Sequence, residues 1–225
     1  MNLNQNLFTI DIGNSHPHIG TFSSNGELIN VSSLNLESKI QGNSINSNVT
    51  NSNLEIENSI NIGNYFKNSK FLDMPVNYSN SLGQDRLAMA YYAFKNFAKI
   101  KKQKVVVIDS GTFTTIDLIT ENGFMGGEIQ PGLNLIFDSY SNGVLLNKGN
   151  WTNEIKIAQN TEEAINQGAK TQFLAGIAQT TSKYSPDQIL ITGGSSEFLA
   201  NEFPKALIDK HLIHHALFLI YKSLT

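Results

Sequence analysis

The sequence predicts an α/β protein made of two related halves, and a repeated motif is the main reason. An apolar strand that ends in Asp, one further residue and Gly occurs as "LFTIDIGNS" at residues 7–15 and as "VVVIDSGTFTTID" at residues 105–117. The carboxylates Asp11 and Asp109 are 109 − 11 = 98 positions apart, close to half of the 225 residues. A motif repeated at this distance indicates two halves of similar structure. We therefore predict domains at residues 1–104 and 105–225.

The first elements of each half are predicted to be strands in a meander. Residues 19–22 and 28–31 flank the turn sequence Asn25-Gly26, which is typical of a β-hairpin. The second half has the same plan, with "TIDLIT" and "FMGGEI" on either side of "ENG". A later short strand, "QILITGG", ends in paired glycines.

Four helices are predicted, and one stretch of the first half has no clear pattern. Residues 161–182 open with the capping-box sequence Thr161-Glu162-Glu163-Ala164. The other predicted helices are residues 84–100, 195–203 and 210–223. Residues 38–64 are rich in Asn and Ser with little hydrophobic periodicity, so we expect a poorly packed or variable region there and assign it no function.

Composition excludes several classes of function. The chain is 40% hydrophobic and 16% charged with a net charge of −3, which gives no electrostatic footprint for nucleic acid or an anionic membrane. The absence of cysteine excludes disulfides, thiolate catalysis and cysteine-ligated zinc, and favours a cytoplasmic location. The N-terminus lacks a signal-peptide pattern and no apolar run approaches about 18 residues, so neither export nor membrane insertion is expected.

The chemistry of the repeated motif favours a nucleotide with a cation. Glycine after a strand lets backbone N–H groups approach an anion closely, and Ser or Thr hydroxyls add further donors. A carboxylate fits such a site if a cation such as Mg²⁺ lies between it and the phosphates. Asp11 and Asp109 are therefore predicted to hold cations, and Thr192-Gly193-Gly194 forms a third glycine turn. Neither a Walker A sequence nor Gly-x-Gly-x-x-Gly is present.

These motifs, in this order, resemble those of the superfamily of actin, sugar kinases and heat-shock ATPases. "DIGNS" is similar to its first phosphate loop, "DSGTFTTID" to its second, and "ITGGSSEF" to its adenosine loop. The resemblance implies an actin-like ATPase fold, in which two ribonuclease-H-like domains with mixed central sheets bind ATP.

Three further stretches narrow the resemblance to type III pantothenate kinases. They are "GQDR" at residues 83–86, "GGEIQPGL" at 126–133 and "NTEEAINQGA" at 160–169, and with the nucleotide loops they span almost the whole chain. The resemblance implies a cytoplasmic homodimer that uses ATP to phosphorylate pantothenate to 4'-phosphopantothenate, the first step of coenzyme A synthesis. It also implies direct in-line transfer, catalysed mainly by positioning and by cations.

The resemblance also implies the roles of individual residues. Asp85 corresponds to the general base, Asp109 to the ligand of a monovalent cation (K⁺ or NH₄⁺), and Asp11 to the residue that serves Mg²⁺ through water. The implied pantothenate contacts are Tyr78, Gly83, Gln84, Asp85, Arg86 and Thr161. The implied ATP contacts are Asp11, Ile12, Gly13, Asn14, Ser15, His16, Pro17, His18 and Thr112.

Three positions raise questions that the sequence leaves open. The family usually has Ala where this chain has Phe113, whose ring either narrows the nucleotide site or packs beneath it. His16-Pro17-His18 is unusual in the first phosphate loop, because proline fixes φ. Thr161 has two competing roles, as pantothenate contact and as helix cap.

Two other functions remain possible on the same fold. One is a regulatory or binding protein that lacks catalysis, and the other is a phosphatase acting on polyphosphate or nucleotides. The presence of Asp11, Asp85, Arg86 and Asp109 together favours the kinase, and the low net charge argues against direct contact with DNA.

Overall fold

The fold is described from a computed structural model of the chain. The structure describes residues 6–13, 17–35, 40, 42–50, 59–144, 146–153 and 156–225. The strands are β1 (Leu7–Ile12), β2 (His18–Phe22), β3 (Leu28–Ser33), β4 (Asn43–Asn48), β5 (Ser59–Asn61), β6 (Phe66–Lys67), β7 (Lys70–Phe71), β8 (Met74–Pro75), β9 (Val105–Ser110), β10 (Phe113–Thr120), β11 (Gly123–Pro131), β12 (Gln188–Thr192) and β13 (Leu207–Ile208). The helices are α1 (Gln84–Ala93), α2 (Lys99–Lys101), α3 (Leu133–Ser139), α4 (Thr161–Tyr184), α5 (Ser196–Leu199) and α6 (Leu212–Leu224).

The chain forms two compact units. Unit 1 contains Met1–Gln103, Ile119–Gly126 and His211–Thr225, and unit 2 contains Lys104–Leu118 and Gly127–Lys210. Two segments of the predicted C-terminal domain, the β10–β11 hairpin tip and α6, are thus grouped with unit 1. Within the described ranges, no helix has both the length and the apolar character needed to cross a membrane.

Unit 1 contains a five-stranded mixed sheet in the order β3-β2-β1-β4-β5. Strand β1 pairs antiparallel with β2 and parallel with β4, and β2 pairs antiparallel with β3, which confirms the predicted meander. Ile10 and Ile12 of β1 are buried, and helices α1 and α6 pack against this sheet. The sheet holds the end of β1, and with it Asp11, beside the start of α1.

The expectation of poor packing in residues 38–64 was wrong for β4. Ile45 of this strand is fully buried, and its polar neighbours Ser44, Asn46 and Ser47 are buried as well. The Asn46 side-chain amide donates a hydrogen bond to Ser59 Oγ (2.8 Å), and the Asn61 amide donates to Asn46 Oδ1 (3.0 Å). Buried polar groups are tolerated when they are hydrogen-bonded. Residues 36–39, 41 and 51–58 lie outside the described ranges.

Helix α1 begins as predicted at Gln84, and the helical conformation continues to Lys101. Between α1 and α2 the residues Phe94–Ala98 form a π-helical turn, which the sequence did not predict. The helix ends at Lys102, whose φ of 58° is left-handed. The predicted helix over residues 84–100 is therefore confirmed, with one irregular turn.

Unit 2 contains the second five-stranded sheet, in the order β11-β10-β9-β12-β13. Strand β12 pairs parallel with both β9 and β13. Its core joins strands β9 and β12 to helices α3 and α4, and includes Val106, Ile108, Phe137, Phe173 and Ile191. This sheet carries the second aspartate-glycine motif at the end of β9.

Two helix predictions in unit 2 needed correction. The helix predicted over residues 195–203 is only the four-residue α5, because the chain continues in turns towards Pro204, which disfavours helical φ and ψ at the residue before it. Helix α4 begins at Thr161 as predicted and extends two residues beyond the predicted end at 182. Helix α3 was not predicted.

Candidate active site

Unit 1 brings the two carboxylates Asp11 and Asp85 close to each other. Asp11 is at the end of β1, and Asp85 is in the first turn of α1. Asp85 Oδ1 accepts a hydrogen bond from the Arg86 backbone N–H (2.7 Å). A Cβ at Gly83 would lie 2.5 Å from Asp85 Oδ1, so a larger residue at this position of the "GQDR" motif would displace the Asp85 carboxylate. The motif therefore fixes one carboxylate at a helix N-terminus.

Burial and mutual repulsion disfavour the charge on Asp11. Burial is the main cause that raises the pKa of Asp11 from 3.8 to about 7, the charge of Asp85 raises it further, and Ser47 partly opposes this. Asp11 Oδ1 is buried and has no hydrogen-bond partner among the described residues. A buried carboxylate oxygen in this state fits a cation or its hydrating water.

The pKa of Asp85 is also raised. Burial is the main cause, opposed by the backbone N–H and the positive charge of Arg86. A carboxylate with a raised pKa is a better proton acceptor than an ordinary carboxylate, because its protonated form is more stable. The environment of Asp85 is thus consistent with the predicted base.

The other predicted pantothenate contacts of unit 1 lie on both sides of Asp85 in the sequence. The Gln84 side-chain carbonyl accepts a hydrogen bond from the Asn48 backbone N–H (3.0 Å), which ties α1 to the end of β4. Arg86 is only 6% exposed, and its Cζ lies 5.4 Å from the ring centroid of Tyr78. The structure thus brings Tyr78 and Arg86 together.

One residue near Arg86 was missed by sequence reasoning. The Phe124 ring centroid lies 5.8 Å from Arg86 Cζ, and Phe124 is completely buried. In the sequence it is one apolar residue of a predicted strand, and no local signal connects it with residues 83–86.

The first phosphate loop is described only at its two ends. Ile12 is buried, Gly13 follows β1, and His18 of β2 is paired with Asp11 across the sheet. Pro17 precedes β2, whereas Asn14, Ser15 and His16 lie outside the described residues, and with them the shape that His16-Pro17-His18 gives to the loop. Among the residues that the structure describes, no group of three or more His, Asp or Glu side chains is arranged to hold a metal.

Unit 2 places Asp109 against the third glycine turn. Asp109 at the end of β9 is paired with Thr192 at the end of β12. Gly193 has a φ of +90°, and a Cβ there would lie 2.5 Å from Asp109 Oδ1. Ser195 N–H donates to the Ser110 carbonyl (2.9 Å). The glycine turn therefore allows the backbone after β12 to approach the carboxylate closely.

The predicted second phosphate loop is in backbone contact with the "GGEIQPGL" motif. The Gly132 N–H donates to the Thr112 carbonyl (3.0 Å), and a Cβ at Gly132 would lie 2.4 Å from that oxygen. Thr112 is exposed in this turn. Phe113 is 49% exposed, so its ring is only partly covered.

The predicted capping box at the start of α4 was wrong by one residue. The N-cap is Asn160, whose side chain accepts a hydrogen bond from the Glu163 N–H (2.9 Å). The Glu163 carboxylate in turn accepts from the Gln159 N–H (2.9 Å). Asn is among the preferred N-cap residues, so the correct cap could have been identified from the sequence. Thr161 is exposed and its hydroxyl is not the cap, which removes the conflict between its two predicted roles.

Comparison with known protein sequences identifies a family and similar relatives. Residues 64–183 match the family profile of type III pantothenate kinase. The chain is 30% identical to the type III pantothenate kinase of Campylobacter hominis over 162 residues, which are 71% of this chain and 73% of that protein. It is 32% identical to the type III pantothenate kinase of Flavobacterium johnsoniae over 142 residues, which cover only 56% of this chain and 54% of that protein.

Solved structures give similar folds over nearly the whole chain. A Campylobacter jejuni protein described as a conserved Baf family transcriptional activator is 27% identical, with a TM-score of 0.71 over 96% of this chain and 98% of that one. A ROK family glucokinase from Streptomyces griseus, in complex with glucose and AMPPNP, is 11% identical, with a TM-score of 0.51 over 97% of this chain and 100% of that one. The second likeness concerns the fold alone.

Proposed function

Because the chain belongs to the type III pantothenate kinase family, which uses ATP to phosphorylate pantothenate, we propose that Asp85 is the general base of this reaction. The observation that carries the proposal is the pair of half-buried carboxylates in unit 1, Asp11 and Asp85, whose pKa values are both raised. Paired titratable groups in unusual environments are typical of active sites.

The reaction requires a proton to leave the primary hydroxyl of pantothenate. Asp85 accepts this proton as the hydroxyl oxygen forms its bond to the γ-phosphorus of ATP, and the bond between that phosphorus and the bridging oxygen breaks to release ADP. The charge of Arg86 is suited to the carboxylate of pantothenate, because guanidinium and carboxylate groups form charge-assisted hydrogen bonds. The protein's contribution is otherwise mostly positioning.

Asp11 and Asp109 would hold the cations of the reaction. The unpartnered oxygen of Asp11 suits Mg²⁺ bound through water, and Mg²⁺ offsets the negative charge of the transferred phosphoryl group. Asp109 would bind K⁺ or NH₄⁺, and the exposed Thr112 would contact an ATP phosphate together with the first phosphate loop, residues 11–18. The closeness of Gly193 to Asp109 supports a compact anion and cation site at the end of β9.

The remaining partners follow from the family and are also proposals. Gly83 and Gln84 would contact pantothenate. Thr161, whose hydroxyl is not engaged as the cap of α4, would contact it as well. The protein would act as a homodimer in the cytoplasm.

Release of ADP, measured with ATP, Mg²⁺ and K⁺ in the presence and absence of pantothenate, tests the function. Release that requires pantothenate is expected for the wild type. Asp85→Asn should lower kcat by about 10²–10⁴-fold, the usual contribution of a general base, and leave ATP affinity within a few-fold. The matched control is Asp138→Asn, because Asp138 is exposed on α3 and pairs only at the surface with Lys148 (2.7 Å).

Other results would support the other functions. Release that is independent of pantothenate would favour a phosphatase. No release from folded wild-type protein would favour a regulatory protein, which is the description given to the similar Campylobacter jejuni structure. Normal turnover of Asp85→Asn would remove Asp85 as the base.

A further inference from the structure

Arg86 is a charged side chain that is almost completely buried. It is 6% exposed, and its Cζ lies over the rings of both Tyr78 and Phe124. Arginine is among the residues least often buried in this way unless its charge has specific partners. The two aromatic rings are therefore part of what keeps this charge in place.

The two rings form a corner around the guanidinium group. Their centroids are 5.7 Å apart and their planes are at 84°, so the edge of one meets the face of the other. Arg86 Cζ lies 5.4 Å from the Tyr78 centroid and 5.8 Å from the Phe124 centroid, which makes a nearly equilateral triangle. Because the rings are perpendicular, they restrict the guanidinium group in two directions. A cation over an aromatic ring is attracted by the negative ring face.

The backbone that carries the two rings is docked at close range. Asn77 N–H donates to the Phe124 carbonyl (2.8 Å), and Val76 forms a parallel bridge with Phe124. Gly123 has a φ of +102°, and a Cβ there would lie 2.0 Å from the Pro75 carbonyl oxygen. Only glycine permits this approach. The hairpin tip is thus held against residues 75–78, which end in Tyr78.

We propose that Tyr78 and Phe124 form an aromatic corner that positions Arg86 to bind the carboxylate of pantothenate. The inference rests on the proposed function, and it makes both residues positioning residues that act through Arg86. Arg86 Cζ lies over both aromatic rings, whereas carboxylates are recognised by the N–H donors of a guanidinium group. Tyr78 thus acts through its ring face and not through its hydroxyl, and Phe124 has a role although it does not contact the substrate.

Steady-state kinetics on four variants test this proposal. Tyr78→Leu and Phe124→Leu should each raise the KM for pantothenate about tenfold, the scale of a desolvated cation–π contact, with little change in the KM for ATP. Tyr78→Phe keeps the ring and should retain the wild-type KM. Tyr65→Leu is the matched control, because Tyr65 is a similarly exposed tyrosine of the same unit, at 38% against 36% for Tyr78.

A substrate analogue shows whether the corner acts through Arg86. In pantothenyl alcohol a hydroxymethyl group replaces the carboxylate, so the Leu variants and the wild type should bind this analogue equally, either as substrate or as competitive inhibitor. An equal loss with both compounds would overturn the proposal, because the effect would not depend on the carboxylate. So would Tyr78→Phe behaving like Tyr78→Leu, since this would assign the effect to the hydroxyl.

Different results would contradict the proposed function and the aromatic corner. Wild-type protein without pantothenate-dependent ADP release contradicts the proposed function. Active wild-type protein with an unchanged pantothenate KM in Tyr78→Leu contradicts the aromatic corner alone. Tyr78 is partly exposed, so its variants are expected to fold even if Phe124→Leu lowers stability, and thermal melting of each variant checks this.

Discussion

The ionised carboxylate of Asp11 lowers the free energy of unfolding, and a bound cation would remove this destabilisation. Its folded-state pKa of about 7 is above its ordinary value of 3.8, so the folded state holds a proton over a range in which the unfolded state has lost it. The free energy of unfolding therefore falls as the pH rises from about 4 to 7, and the cost is complete above pH 7. At about 1.4 kcal/mol per pKa unit, it amounts to at most about 4 kcal/mol.

Replacement of Asp11 by Asn should therefore raise stability while it removes activity. Without Mg²⁺ and nucleotide, Asp11→Asn should melt several degrees above the wild type at pH 8, and this difference should shrink towards pH 4, where the wild-type carboxyl is protonated. Thermal melting at both pH values, with Asp138→Asn as control, measures it. Equal melting temperatures at pH 8 would show that Asp11 carries no such cost.

At the scale of elements, two neighbouring side chains at the start of α4 have different roles. Asn160 caps the helix, and Thr161 is a proposed pantothenate contact. Asn160→Ala removes the cap and should lower stability by about 1 kcal/mol, a shift of about 2–4 °C in Tm for a chain of this size. Thr161→Ala should change Tm by less than this and should raise the KM for pantothenate. If Thr161→Ala were the more destabilising of the two, the hydroxyl of Thr161 would be structural after all.

Local chemistry explains which elements could be predicted from the sequence. The ends of β1 and β9 were predictable because each apolar run stops at the repeated aspartate-glycine motif, and both strands end within it. Strand β4 was not, because hydrogen bonds between Asn and Ser side chains replace the apolar periodicity by which buried strands are recognised.

Some residues of the candidate site could likewise be predicted from the sequence, and others could not. Asp85 and Arg86 belong to one short motif and could be read from it, whereas Phe124 reaches Arg86 only because the hairpin tip is docked on residues 75–78. A contact between positions 38 residues apart (124 − 86) leaves no local pattern. The roles assigned to the nucleotide-binding residues 11–18, Asp109 and Thr112 remain predictions.

At the scale of the whole molecule, the family resemblance predicts a homodimer. The net charge of −3 is too small for strong repulsion between two copies. Light scattering during size-exclusion chromatography should therefore give a mass of twice 24.8 kDa. A mass near 24.8 kDa at the concentration of the kinetic assays would contradict the dimer.

The grouping of α6 with unit 1 affects the order in which the molecule is completed during synthesis. Domains usually fold from the N-terminus as the ribosome makes them, at about 5–20 residues per second. Here β1 is translated before α6, which packs against it and begins 200 residues after β1 ends (212 − 12). Roughly 10–40 s therefore pass between the synthesis of β1 and that of α6, and during this time α6 cannot cover β1. Unit 2 is complete at Lys210. The half of the chain that is translated first is therefore expected to finish folding last, and to be the half that needs chaperones.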